Sequence, residues 1–108
     1  MIFGITIKKI ETEIQHIFLN KMDVTGVYGF GSFFRKEPFN DIDILIVTSA
    51  KIEELISTYD FCDSKLSFLG RLMNYKFHML MLTKEEYNSK PLLESDHLTI
   101  LFEREVDN

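Results

Sequence analysis

The residues with most chemistry to offer lie in one short stretch. Gly29-Phe30-Gly31-Ser32 is followed, after eight residues, by Asp41-Ile42-Asp43. On a β-strand, residues two apart point to the same face, so Asp41 and Asp43 project side by side. Two carboxylates at the exposed start of an otherwise apolar strand repel each other and gain nothing from packing. A hard divalent cation relieves that repulsion, and oxygen ligands of this kind suit Mg²⁺ or Mn²⁺. Gly31 lets the backbone turn sharply and approach a ligand, while the Ser32 hydroxyl and the amides after it can hold phosphate oxygens at a helix start. Phosphate, paired carboxylates and a metal are together the parts of phosphoryl or nucleotidyl transfer. Each part alone has an ordinary alternative: acids alternate on many surface strands, and Asn40-Asp41 suits a turn. Their joint placement, a strand ending in Gly-Ser and acids opening a second strand, selects the transfer chemistry.

Periodicity supplies the elements that must position these residues. Ile7, Ile10, Ile14 and Ile17, continued by Phe18 and Met22, step by three and four and predict an amphipathic helix. Val24 to Phe30 is short, β-branched and aromatic and ends in glycines, so it reads as a strand. After a polar bend through Arg35-Lys36-Glu37-Pro38, Asp41 to Val47 reads as a second strand, apolar on both faces beyond its acidic start and therefore central in a sheet. Lys51 to Tyr59 is expected to be helical, with Ile52, Leu55 and Ile56 on one side. A further helix, capped by Asp63 or Ser64, is expected to reach about Met73, with Leu66, Leu69 and Leu72 in one stripe. Tyr75 to Leu82 is a third strand, ending in the capping box Thr83-Lys84-Glu85-Glu86 and a short helix to about Asn88. A loop through Pro91 leads to a fourth strand, His97 to Glu103. The order predicts one α/β domain over 1–108, built on one sheet of about four strands.

Composition sets the outer limits. The 108 residues are 45% hydrophobic and 27% charged, the balance of a globular domain. Ten Phe and four Tyr, with no Trp, give an aromatic-rich core. No apolar run approaches the roughly 20 residues that a membrane-crossing helix needs, and Met1 to Lys9 places its positive charge after the apolar stretch, the wrong order for a secretory signal. One cysteine, Cys62, leaves no intrachain disulfide, so a reducing cytoplasmic setting is expected. A net charge of −5 argues against broad nucleic-acid coating, though a metal can still bridge an acidic protein to a nucleotide.

The stretch Val27-Tyr28-Gly29-Phe30-Gly31-Ser32-Phe33 with Asn40-Asp41-Ile42-Asp43-Ile44-Leu45-Ile46-Val47 resembles the signature of the polymerase-beta-like nucleotidyltransferase superfamily in its minimal bacterial form. The resemblance implies a mixed sheet with flanking helices and transfer of a nucleoside monophosphate, AMP above all, from an NTP such as ATP to a protein or nucleic-acid hydroxyl. It implies that Gly31 and Ser32 hold the triphosphate and that Asp41 and Asp43 ligate Mg²⁺ or Mn²⁺. Minimal domains of this type are often paired with a helical partner of the HEPN type as antitoxin to toxin. Homo-oligomers are a further expectation.

Two departures stand out. The spacing from Ser32 to Asp41 is short for the family, so the intervening helix must be trimmed. The family's third carboxylate lies on the next strand, where Tyr75 to Leu82 holds no acid and His78 takes the place in rough alignment. Imidazole is a poor Mg²⁺ ligand, acceptable to Mn²⁺ or Zn²⁺. His78 reads either as a neutral base or as an inert, hydrogen-bonded histidine at a sheet edge. Asp60 and Asp63 are poorer substitutes. Arg35 and Lys36 read equally as phosphate contacts and as solvated loop residues. His16, His97 and Cys62 read as structural, and Phe33, Phe34 and Phe39 as core packing rather than base-stacking groups. Three functions follow: a nucleotidyltransferase using Asp41, Asp43 and His78; a module of the same fold that binds nucleotide or a partner without turnover; and a purely structural domain.

Overall fold

The computed structural model describes residues 6–89 and 97–104; the first five residues and the expected loop through Pro91 lie outside them. The elements are α1 (Ile7–Phe18), β1 (Val24–Phe30), β2 (Asp41–Thr48), a 3₁₀ turn (Ile52–Glu54), α2 (Leu55–Met73), β3 (Lys76–Thr83), α3 (Lys84–Asn88) and β4 (Thr99–Glu103). The four strands form one sheet in the order β3-β2-β1-β4. β1 runs antiparallel to both β2 and β4, whereas β2 and β3 are parallel. Parallel neighbours need a crossover, and α2 provides it.

β2 is central, as its sequence predicts. Ile42, Ile44 and Ile46, all fully buried, face α1 and α2 in a core with Ile10, Ile14, Phe18, Val27, Cys62, Leu66 and Leu101. Each such isoleucine contributes about 1.5–3 kcal/mol by leaving water. Leu45 and Val47 point the other way, into a smaller cluster with Tyr28, Leu80, Leu82 and Tyr87. α3 covers that second face only in part: its capping box (Thr83 Oγ1 accepting from Glu86 N at 3.1 Å, Glu86 Oε1 accepting from Thr83 N at 2.9 Å) sets Tyr87 in a stack on Tyr28, ring centroids 5.4 Å apart. The Tyr28 hydroxyl donates to Glu103 at 2.7 Å. The Val47 end of this face is thereby covered.

Two helical expectations are corrected. α1 stops at Phe18, and Met22 lies beyond it and is exposed. The two helices expected from Lys51 to Met73 are one helix after a 3₁₀ turn. Asp63 caps nothing there, because Thr58, Cys62, Leu66 and Leu69 form one unbroken buried stripe through the supposed break. That stripe leaves Ile52, Ile56 and Leu72 outside, 82%, 78% and 67% exposed, although the sequence groups them with Leu55, Leu66 and Leu69 on apolar sides. Thr58 Oγ1 donates to Asp23 Oδ2 and Thr48 Oγ1 to the Asp23 carbonyl, both at 2.6 Å, tying α2 to the start of β1. α2 ends at Asn74, in left-handed conformation at φ 60°, with the Tyr75 amide donating to the Gly70 carbonyl at 3.0 Å.

Candidate active site

β1 leaves the sheet at Phe30 and turns at Gly31, whose φ of +80° favours glycine. A single helical turn follows, with the Arg35 amide donating to the Gly31 carbonyl at 3.1 Å and the Glu37 amide to the Ser32 carbonyl at 3.0 Å. The expected bend is therefore present, closed by Lys36 at φ 62°. Phe33 and Phe34 anchor it from below: both are buried, the Phe34 ring lies over Gly29, and Phe33 packs edge-on to Phe39 at 4.9 Å. These rings belong to the core, and β2 then begins directly at Asp41.

Gly31 has a second reason to lack a side chain. A Cβ there would meet Oδ2 of Asp43, so the loop backbone and this carboxylate lie in contact. The other Asp43 oxygen, Oδ1, is 3.3 Å from Nδ1 of His78. The register explains the meeting: Asp43 stands opposite Phe30 on β1 and opposite His78 on β3. The turn after β1 and the strand β3 thus converge on one carboxylate of β2. Asp43 is mostly buried, its side chain 23% exposed, against 66% for His78. Burial pushes its pKa up and the nearby Asp41 adds to the rise, while the His78 hydrogen bond and charge and the Arg35 charge pull it down; the balance is upward. Asp41 lies two residues earlier on the same face, half-buried.

The other residues singled out by sequence fall as follows. Ser32 is half-buried at the start of the turn. Arg35 is exposed and pairs with Glu37 at 3.1 Å, within electrostatic reach of Asp43. Lys36 is exposed and lines a hollow with Thr6, Ile7, Phe33, Glu37 and Phe39 that contains neither carboxylate. His16 and His97 are exposed and stand apart from the site. Cys62 is fully buried, and burial together with the Asp23 carboxylate pushes its thiol up to about 12, which keeps it protonated and unreactive. Sequence reading missed Lys76, the β3 residue opposite Asp41; its only signal was a lysine two places before His78.

Among the described residues no three His, Cys, Asp or Glu side chains are placed to hold a metal ion. The donors on offer are the Asp41–Asp43 pair. Mg²⁺ keeps several waters and is commonly held by one or two carboxylates plus substrate phosphates, so this donor set fits one such ion on an open shelf.

The structure aligns with that of a candidate nucleotidyltransferase from Sulfolobus solfataricus, with a TM-score of 0.61 over 90% of this chain and 79% of that one, at 17% identity. The chain is a nucleotidyltransferase-fold protein. The mixed sheet with flanking helices, expected from the Gly-Ser and Asp-x-Asp signature, is therefore the architecture found. No curated protein matches the sequence. A sequence model of the thymidine kinase family matches residues 8–91, from α1 through α3. A kinase holding its phosphates on a Gly-x-x-x-x-Gly-Lys-Ser/Thr loop needs that motif between a strand and a helix. No glycine of this nucleotidyltransferase-fold chain is followed by lysine, and the Gly31-Ser32 turn leads from β1 into an antiparallel neighbour. The matched residues thus lack that loop.

Proposed function

We propose that this chain is a metal-dependent nucleotidyltransferase that moves a nucleoside monophosphate, AMP foremost, from an NTP to a hydroxyl of a protein or nucleic acid. The observation that carries the reading is the convergence of the Gly31 turn and His78 on the two oxygens of Asp43, with Asp41 beside it. The Gly31 turn and the Ser32 hydroxyl receive the β- and γ-phosphates, with Arg35 near enough to add positive charge. A divalent cation, Mg²⁺ or Mn²⁺, held by Asp41 and Asp43 supplies charge neutralisation at the phosphates. Asp43 holds the Nδ1–H tautomer of His78, leaving the Nε2 lone pair directed outward as a base. The acceptor oxygen forms a bond to the α-phosphorus as its proton passes to Nε2. The bond from the α-phosphorus to the α–β bridging oxygen breaks, and pyrophosphate carries away the electron pair.

A second reading has its own support. With no third protein ligand among the described residues, a module that binds nucleotide or a partner without turnover also fits. The exposed Ile52, Ile56 and Leu72 offer apolar surface to a helical partner of the HEPN type, which the antitoxin role would require. Titration calorimetry tests the site common to both readings. ATP or GTP with Mg²⁺ and then Mn²⁺ should bind the wild type, and Asp41→Asn/Asp43→Asn should weaken binding roughly tenfold or more, at about 1.4 kcal/mol per tenfold. Metal-independent binding, or binding unchanged in the double variant, contradicts the site.

A further inference from the structure

β3 brings two nitrogen-bearing side chains to the carboxylates, and only His78 has so far been given a role. Parallel pairing sets Lys76 opposite Asp41 and His78 opposite Asp43. The 3.3 Å contact between His78 and Asp43 shows that register partners share a face, and Lys76, two residues earlier on the strand, projects to that same face. Lys76 is exposed and takes part in none of the ion pairs among the described residues. Its four-carbon stem is long enough to cross the strand spacing of about 4.8 Å and reach a ligand seated on Asp41.

We propose that Lys76 is a phosphate ligand of this site and that the site takes a single divalent cation. The inference rests on the nucleotidyltransferase reading and deepens it. A second ion between β2 and β3 would need a further carboxylate on β3, but the two β3 positions facing the acids carry an imidazole and an ammonium. One divalent cation balances the two carboxylates. The charge of an incoming triphosphate is then met by Lys76 from the β3 side and Arg35 from the turn. A second cation would instead sit one strand spacing from the ammonium and be repelled.

Two measurements test this on the full chain with Mn²⁺ and α,β-methylene-ATP. Paramagnetic resonance titration should count one tightly held Mn²⁺ per chain in the ternary complex; two overturn the proposal. Lys76→Gln should weaken binding of the analogue roughly tenfold while tightening binding of Mn²⁺ alone, because it removes a positive charge beside Asp41; Lys76→Arg should restore analogue binding. A merely structural lysine would move both affinities the same way, which overturns the proposal, as does analogue binding unchanged in Lys76→Gln. If the wild type binds the analogue and loses it in Asp41→Asn, a negative Lys76 result strikes this inference alone. If the wild type does not bind, or Asp41→Asn binds as tightly, the nucleotidyltransferase reading falls and takes this inference with it.

Discussion

Asp43 works against the stability of the fold that holds it. Burial and the charge of Asp41 raise its pKa from the ordinary aspartate value, and His78 and Arg35 offset this only in part. A carboxyl group with a raised native pKa binds its proton more tightly folded than unfolded, so its ionisation at neutral pH disfavours the folded state. The penalty is absent below the unfolded pKa of about 4 and grows as pH rises through the raised native value. Asp43→Asn should therefore raise the melting temperature at pH 7. The gain should shrink as pH falls toward the unfolded pKa of about 4, because the wild-type carboxyl then takes up its proton and the penalty fades. Thermal melts of both proteins at the two pH values check this. A variant that melts lower at pH 7 would mean that the His78 contact outweighs burial. That a stabilising substitution should also remove cation-dependent nucleotide binding is the expected conflict between stability and a functional site.

At the scale of elements, local chemistry accounts for what the sequence revealed. β1, the Thr83 capping box and the acidic start of β2 are written in residues within a few positions of one another, and each is found where the sequence predicts it. α2 was less legible because the stripe it buries, Thr58, Cys62, Leu66 and Leu69, mixes a threonine and a cysteine with the leucines, and Thr58 is buried by donating to a distant partner, Asp23. Read alone, Asp63 and Ser64 look like a helix start. In the fold they sit on the exposed side of a continuous helix. Gly31 was legible as a turn residue but not as the surface that admits Asp43, and Lys76 was not legible as a neighbour of Asp41. Both facts depend on strand register, which no local pattern fixes. Arg104 is another long-range tie: its guanidinium donates to the carbonyls of Phe18, Leu19 and Lys21 at 3.0–3.3 Å and to that of Val24 at 3.3 Å, closing the C-terminal end of α1. Charged hydrogen bonds of this kind contribute about 1.5–3 kcal/mol, and carbonyls left unpaired add to the loss. Arg104→Ala should cost about 2–3 kcal/mol in a urea melt and speed amide exchange in α1 before α2. A loss within about 0.5 kcal/mol would show that water replaces the guanidinium at no penalty.

For the whole molecule, the sheet separates stability from chemistry. One face is closed by α1 and α2 over an apolar core, while the other, among the described residues, is covered by α3 only toward Val47 and not at the Asp41 end. A net charge of −5 makes such a shelf a poor place for a bare triphosphate and a better one for a triphosphate already carrying a divalent cation. The proposed nucleotidyl transfer acts at the α-phosphate, whereas a kinase acts at the γ-phosphate. The two are separated by following the label. The chain should be incubated with a macromolecular extract and Mg²⁺ or Mn²⁺, once with ATP labelled at the α-phosphate and once with ATP labelled at the γ-phosphate. Nucleotidyl transfer at Asp41 and Asp43 should carry α-label into acid-precipitable material with release of pyrophosphate, Asp41→Asn should abolish this, and γ-label should not follow. Transfer of γ-label, or α-label incorporation that survives Asp41→Asn, would contradict it.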